Sequence, residues 1–248
     1  MKGPGSAAFA VGGRRPVTEA IRSGRANRLM IAKGSSSTEG LRSVLAEAER
    51  NGLAVEWVEA AAIDSLGLRD HQGVAAIANP PRELDDRALA SFGFDPDAVV
   101  VVLDGITDPQ NLGACARSAE AAGAAALITR KRRAAPMSAG AVKASAGAMF
   151  HLPIARVTNI SRTLDQLKER GFGVVGLDHR ADSTIHESPP PPRPVALVVG
   201  AEDVGLSRLV RESCDELVAI PLAGKTSSLN ASAALAAALF GYVLRPSR

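Results

Sequence analysis

IPLAGKTSSLN, residues 220–230, joins a short apolar run to a long Ala/Leu segment, and its reading decides the fold. Gly-Lys-Thr between a strand and a helix suggests a phosphate loop. A Walker A loop needs G-x-x-x-x-G-K-[ST], whose two glycines let backbone N–H groups close around phosphate. Counting back from Gly224, the first glycine falls on Ala219. VVVVLD, an apolar run ending in a magnesium-type acid at Asp104, lies far upstream. No G-x-G-x-x-G follows any apolar run, so dinucleotide binding also lacks its fingerprint. What the loop offers is Ser227, Ser228 and Asn230 at a helix start. Capping of orphan N–H groups explains one such residue, but three together point to a polar site. They lie just past a strand's carboxyl end, where open α/β sheets bind ligands.

Outward from this loop the chain alternates. AVVVVLDG (98–105), AAALIT (124–129), LPIARV (152–157), FGVVGLD (172–178), VALVVG (195–200) and ELVAIPL (216–222) read as strands. Helices are expected over 112–122, 138–150, 161–171 and 205–214, with a last one from about Leu229. SPPPPRP (188–194) is a stiff connector. Strands alternating with helices imply α/β class and a mostly parallel sheet. Residues 14–80 read as a separate small α/β domain, 1–13 as a flexible arm, 81–97 as a linker and 98–248 as the main domain.

Composition narrows function. Aromatics are 3%, so stacking of bases on an aromatic platform has little to work with. Net charge is +3, but Arg14–Lys33 holds six basic residues against Glu19 alone, and a second cluster is Arg130-Lys131-Arg132-Arg133. Both suit a polyanion. Cys115 and Cys214 match no zinc spacing, so no metal is expected, and the thiols read as reduced in a cytoplasmic protein. The uncharged run 226–244 starts with hydroxyl and amide side chains, which favours a buried helix over a membrane span.

Two further strand ends carry polar residues. In LDGITDPQNLGACARSAEAAG (103–123), Asn111 can cap the helix, and Arg117 sits among small residues that invite close packing. In VVGAEDVGLS (198–207), Glu202 follows a buried strand and precedes a helix start, where the dipole favours an acid.

DPQNLGACARSAEAAG, GAEDVGLS and IPLAGKTSSLNASAA, in this order at strand ends, resemble the three motifs of the SpoU/TrmH family of RNA ribose 2′-O-methyltransferases. Ala231 stands where the family usually has Val. The front domain, including HQGVAAIA, resembles the ribosomal-protein-like RNA-binding domain of RlmB-like members, which act on a guanosine of large-subunit ribosomal RNA. The resemblance implies a SPOUT domain with a deep trefoil knot, S-adenosyl-L-methionine as methyl donor, an RNA substrate and a homodimer with the site at its interface. Val199, Gly200, Ile220, Leu222 and Leu229 would line the cofactor pocket. Arg117 would stabilise the developing 2′-oxyanion, since a guanidinium stays charged near neutrality and makes a poor base. Asn111 would orient the ribose or Arg117, Glu202 would position Arg117 or the substrate, and Ser228 and Asn230 would complete the pocket. Transfer-RNA methylation, or RNA binding without catalysis, are the alternatives.

Overall fold

The computed structural model describes residues 9–226 and 228–245. Its front unit runs β1 (Phe9–Gly12), α1 (Arg14–Arg22), β2 (Ala26–Ala32), α2 (Glu39–Arg50), β3 (Val55–Val58), α3 (Ala60–Asp64) and β4 (Val74–Ala78). The sheet order is β1-β4-β2-β3, antiparallel except for β2 with β3. Period-two alternation serves both faces. Leu29 and Ile31 of β2 pack with Val17, Ile21, Leu41 and Val44 of the helices, while Met30 and Ala32 face Ile63 of α3.

The second unit continues with β5 (Glu83–Leu84), α4 (Asp86–Ala90), β6 (Val99–Asp104), α5 (Pro109–Ala121), β7 (Ala126–Arg130), α6 (Ala139–Ala144), β8 (Ile154–Val157) and α7 (Ile160–Glu169). It ends with β9 (Gly173–Leu177), β10 (Ser183–Thr184), β11 (Val195–Gly200), α8 (Arg208–Glu212), β12 (Glu216–Ala219) and α9 (Ala231–Ala238), which runs into a π-helical turn, Leu239–Val243. The eight strands form one parallel sheet, β10-β12-β9-β11-β6-β7-β8-β5. β6 and β11 lie inside it and are buried at every position, as their continuous apolar runs predict. Val99, Val101 and Leu103 face the core shared with the front unit, and Val100 and Val102 face the other layer.

Two boundaries differ from expectation. Phe9–Gly12, assigned to the flexible arm, pairs with β4 from Phe9↔Ala78 to Gly12↔Ala75, while residues 1–8 of the arm lie outside the described residues. Within the expected linker, Glu83–Leu84 pairs with β8, and Asp85 caps α4 by accepting from Ala88 N at 2.8 Å. Leu84 and Leu89 enter the core there, so this segment belongs to the second unit. Both strands are too short to show a period.

The helix expected over 138–150 breaks at Ala146 and Gly147, whose φ values are +53° and +91°. The front unit packs against the break: a Cβ on Gly147 would lie 2.6 Å from Glu19 Cβ of α1. Beside this close approach Glu19 Oε2 pairs with His151 Nε2 at 2.9 Å and Lys143 Nζ with Asp70 at 3.1 Å. The final helix starts at Ala231, buries Ala231, Leu235 and Ala238, and leaves Ala233, Phe240 and Gly241 exposed. Among the described residues, no helix is long and apolar enough to cross a membrane.

Candidate active site

A parallel sheet places every strand's carboxyl end on one side, which brings the loops after β6, β11 and β12 together. Asp108, followed by Pro109 in the first helical turn, caps α5 by accepting from Gln110 N at 3.0 Å. The cap is therefore not Asn111, whose side chain is free to turn to another strand tip. Asn111 Nδ2 donates to Glu202 Oε1 at 2.7 Å. Asn230 caps α9, its Oδ1 accepting from Ser232 N at 3.0 Å. Its Nδ2 donates to Asn111 Oδ1 at 2.8 Å and to Glu202 Oε1 at 2.6 Å, and Ala231 N reaches the same oxygen at 3.3 Å. Glu202, read as a helix-dipole acid, is instead the acceptor that ties three strand tips. All three donors use Oε1; among the described residues Oε2 has no partner.

Beside this cluster lies a cavity of about 400 Å³, lined by Val199, Gly200, Ile220, Leu222 and Leu229 together with Ser228 and Glu202. Gly200 is required by close approach. The 201–205 turn folds back on the strand end, with Gly205 N donating to Ala201 O at 2.8 Å, and a Cβ on Gly200 would lie 2.1 Å from Gly205 C. Ser228 lies on the rim; Ser227, singled out with it, lies outside the described residues. Sequence reasoning missed the opposite wall, Leu177, Asp178 and His179 at the tip of β9. Burial alone would raise the Asp178 carboxyl. Hydrogen bonds from the Arg180 guanidinium and backbone, with the charges of Arg180 and Arg211, outweigh that and hold it below the usual carboxylate range. The available signal was its position, since β9 neighbours both β11 and β12.

Within this chain Arg117 makes no hydrogen bond to the cluster. It lies exposed on α5 and makes no ion pair or side-chain hydrogen bond among the described residues. Six residues at about 100° each turn its side chain roughly 120° around the helix from Asn111.

Asp104 has a structural job. It is 2% exposed; Oδ1 accepts from Arg130 Nη2 at 2.6 Å, and Oδ2 from Ser207 N at 2.7 Å. Arg130 is thus an internal anchor, not part of a phosphate grip, while Lys131, Arg132 and Arg133 remain exposed. The front basic segment changes more. Arg22 pairs with Glu19 and Glu47, Arg28 with Glu56 and Lys33 with Glu59, all at 2.6–2.9 Å. Arg25 donates to Pro80 O and Arg14 to Thr38 Oγ1, which leaves only Arg15 without such a partner among the described residues. Glu47, Glu56 and Glu59 come from later in the chain, so the segment looked unbalanced when read alone.

Burial lifts the thiols of Cys115 and Cys214 to about 12, which makes both unreactive structural groups. Among the described residues no group of three His, Cys, Asp or Glu could hold a metal ion.

Known proteins resemble this chain in sequence and in fold. A Mycobacterium avium protein named as a tRNA/rRNA methyltransferase is 42% identical over 227 residues, 90% of this chain and 72% of that protein. The AdoMet complex of the SpoU methyltransferase AviRb from Streptomyces viridochromogenes superposes with a TM-score of 0.76 at 30% identity, over 96% of this chain and 89% of that one. An AdoMet-bound rRNA methyltransferase from Sinorhizobium meliloti gives 0.75 at 27% identity, over 94% and 86%. A TrmH/SpoU tRNA-modifying enzyme from A. aeolicus gives 0.52 at 28% identity and covers 58% of this chain and 73% of its own. Residues 10–84 match the RNA 2′-O ribose methyltransferase substrate-binding family. Residues 98–240, which hold all three converging strand tips, match the SpoU rRNA Methylase family, and the chain belongs to it.

Proposed function

We propose that this protein methylates a ribose 2′-hydroxyl of RNA with S-adenosyl-L-methionine as donor, and that its target is a guanosine of large-subunit ribosomal RNA. The observation that carries this reading is the meeting of Asn111, Glu202 and Asn230 beside the cavity lined by Val199, Gly200, Ile220, Leu222 and Leu229. The cavity suits the donor. Leu222 and Leu229 keep 40% and 38% of their surface exposed at its mouth, an apolar pair for a purine face. Between Ile220 and Leu229 the described main-chain groups make no hydrogen bonds to other backbone, so they are available to read the purine edge.

When bound, S-adenosyl-L-methionine supplies an electrophilic methyl group on a charged sulfur. The chain's own residues hold and prepare the nucleophile. Asn111 orients the ribose, and the unpaired Oε2 of Glu202 accepts from the 2′-hydroxyl or from Arg117. Ser228 and Asn230 close the rim. Arg117 stabilises the oxyanion as its proton leaves to solvent or to a substrate phosphate. Arg117, exposed and with no hydrogen bond to the cluster in its own chain, acts in the pocket of a second copy. The protein is thus a homodimer joined about α5 and α9, where Phe240 is 52% exposed. The sheet is threaded as a deep trefoil knot, and the enzyme works in the cytoplasm.

Ribosomal RNA is favoured over transfer RNA by coverage. The rRNA-named neighbour covers 94% of this chain, whereas the tRNA-modifying neighbour covers 58%. The test incubates purified protein and donor with unmodified ribosomal and transfer RNA transcripts and maps ribose methylation by mass spectrometry. A 2′-O-methylguanosine in the large-subunit transcript is expected; methylation of transfer RNA alone would redirect the substrate, and none in either would reject the activity.

A further inference from the structure

We propose that the loop Lys131–Arg133, braced by Arg156, is a phosphate-binding subsite that holds the RNA backbone a few phosphates from the ribose being methylated. The inference rests on the RNA-methylation reading and adds where the strand runs. Of the four consecutive basic residues, Arg130 is spent on Asp104 at 2.6 Å. Lys131, Arg132 and Arg133 are exposed and have no carboxylate partner among the described residues. The front segment differs, because Arg22, Arg28 and Lys33 each meet an acid within 2.9 Å.

The loop is held at both ends. Lys131 N donates to Val157 O at 2.7 Å, and Arg156 Nη2 donates to Lys131 O at 2.7 Å. Ala135 N donates to Ile106 O at 2.9 Å, tying the loop to the turn that leads into α5 and Asn111. Arg133 has φ +54°, a left-handed backbone that few non-glycine residues adopt, so the loop directs its side chain at a conformational cost. Arg156 Nε is buried without a partner, which marks Arg156 as a brace whose guanidinium retains an unused donor.

Position on the sheet sets the ligand. β7 lies beside β6, and β6 beside β11, so the loop is roughly 10 Å, two strand spacings, from the strand tip at Gly200. That span is short enough for one RNA strand to cross from the loop to the pocket. With aromatics at 3%, the loop meets phosphodiester charge and not stacked bases.

The test uses the full chain, a fluorescein-labelled single-stranded RNA for binding, and unmodified ribosomal RNA transcript for turnover. In the variant Lys131→Ala, Arg132→Ala, Arg133→Asn, Asn is chosen because it tolerates the left-handed backbone. Its KM for RNA should rise about tenfold, and its slope of log affinity against log salt should flatten by about 2, at ~0.7 for each phosphate that is no longer neutralised. Affinity for S-adenosylhomocysteine and the melting temperature should stay at wild-type values. The charge-keeping variant Lys131→Arg, Arg132→Lys, Arg133→Lys should recover the slope. An unchanged slope in the first variant, or an equal loss in the second, overturns the subsite. Wild-type protein that binds RNA with a steep, loop-dependent slope yet methylates no RNA keeps the subsite and rejects the activity.

Discussion

Two polar clusters hang from the same short loop after β11, and they are built to opposite specifications. Asp104, Arg130 and Ser207 form the inner one, where the carboxylate is 2% exposed and both of its oxygens are occupied. Glu202, Asn111 and Asn230 form the outer one, where three donors crowd one oxygen of an exposed carboxylate and the other has no partner among the described residues. A saturated cluster has nothing left to offer a ligand and serves the fold. An unsaturated cluster at a cavity rim costs some stability and keeps an acceptor for a ligand.

The contrast can be broken in order of expected effect. Arg117→Ala should lower single-turnover methyl transfer by about 10²- to 10³-fold while calorimetry shows unchanged binding of S-adenosylhomocysteine. Mixing it with Asn230→Ala should recover about a quarter of wild-type activity if sites are shared between copies; no recovery would mean that each chain is self-sufficient. Asp104→Ala should cost about 3 kcal/mol in urea unfolding, because Arg130 is left half-buried without its partner, and turnover per folded molecule should persist. Loss of turnover without loss of stability would erase the distinction between the clusters. Glu202→Gln should do the reverse, with about tenfold slower turnover and a stability change within about 0.5 kcal/mol.

The smallest change is expected in a slope. The folded-state pKa of Asp178 is depressed, so its contribution to stability is present above the unfolded carboxylate value near ~4 and is lost as pH falls through the folded one. Asp178→Asn should therefore show a shallower decline of stability on acidification below about pH 4. An identical acid profile would place the pH sensitivity elsewhere.

What was legible in the sequence follows from interaction range. VVVVLD and VALVVG announce buried parallel strands because burial on both faces leaves no alternation to hide. Asn111, Glu202 and Asn230 could be singled out because each interrupts an apolar or small-residue context at a strand tip. The four-residue β1 and two-residue β5 are formed by partners elsewhere in the chain, so nothing local marks them. The pairing of Arg28 with Glu56 was hidden for the same reason. The six-residue spacing of Asn111 and Arg117 already implies different faces of one helix, once Asp108 and Pro109 are read as its start.

Gly113 has a consequence for how the two units work together. A Cβ there would lie 2.4 Å from Ala141 O and 2.6 Å from Ala144 Cβ, so α5 and α6 meet almost main chain to main chain. α6 carries Lys143, clasped to Asp70, and leads to Gly147 against α1. The helix that seats Asn111 is therefore joined to the front unit through α6, by close approaches at Gly113 and Gly147. A large substrate bound to the front unit would meet the helix that seats Asn111 through these two close contacts.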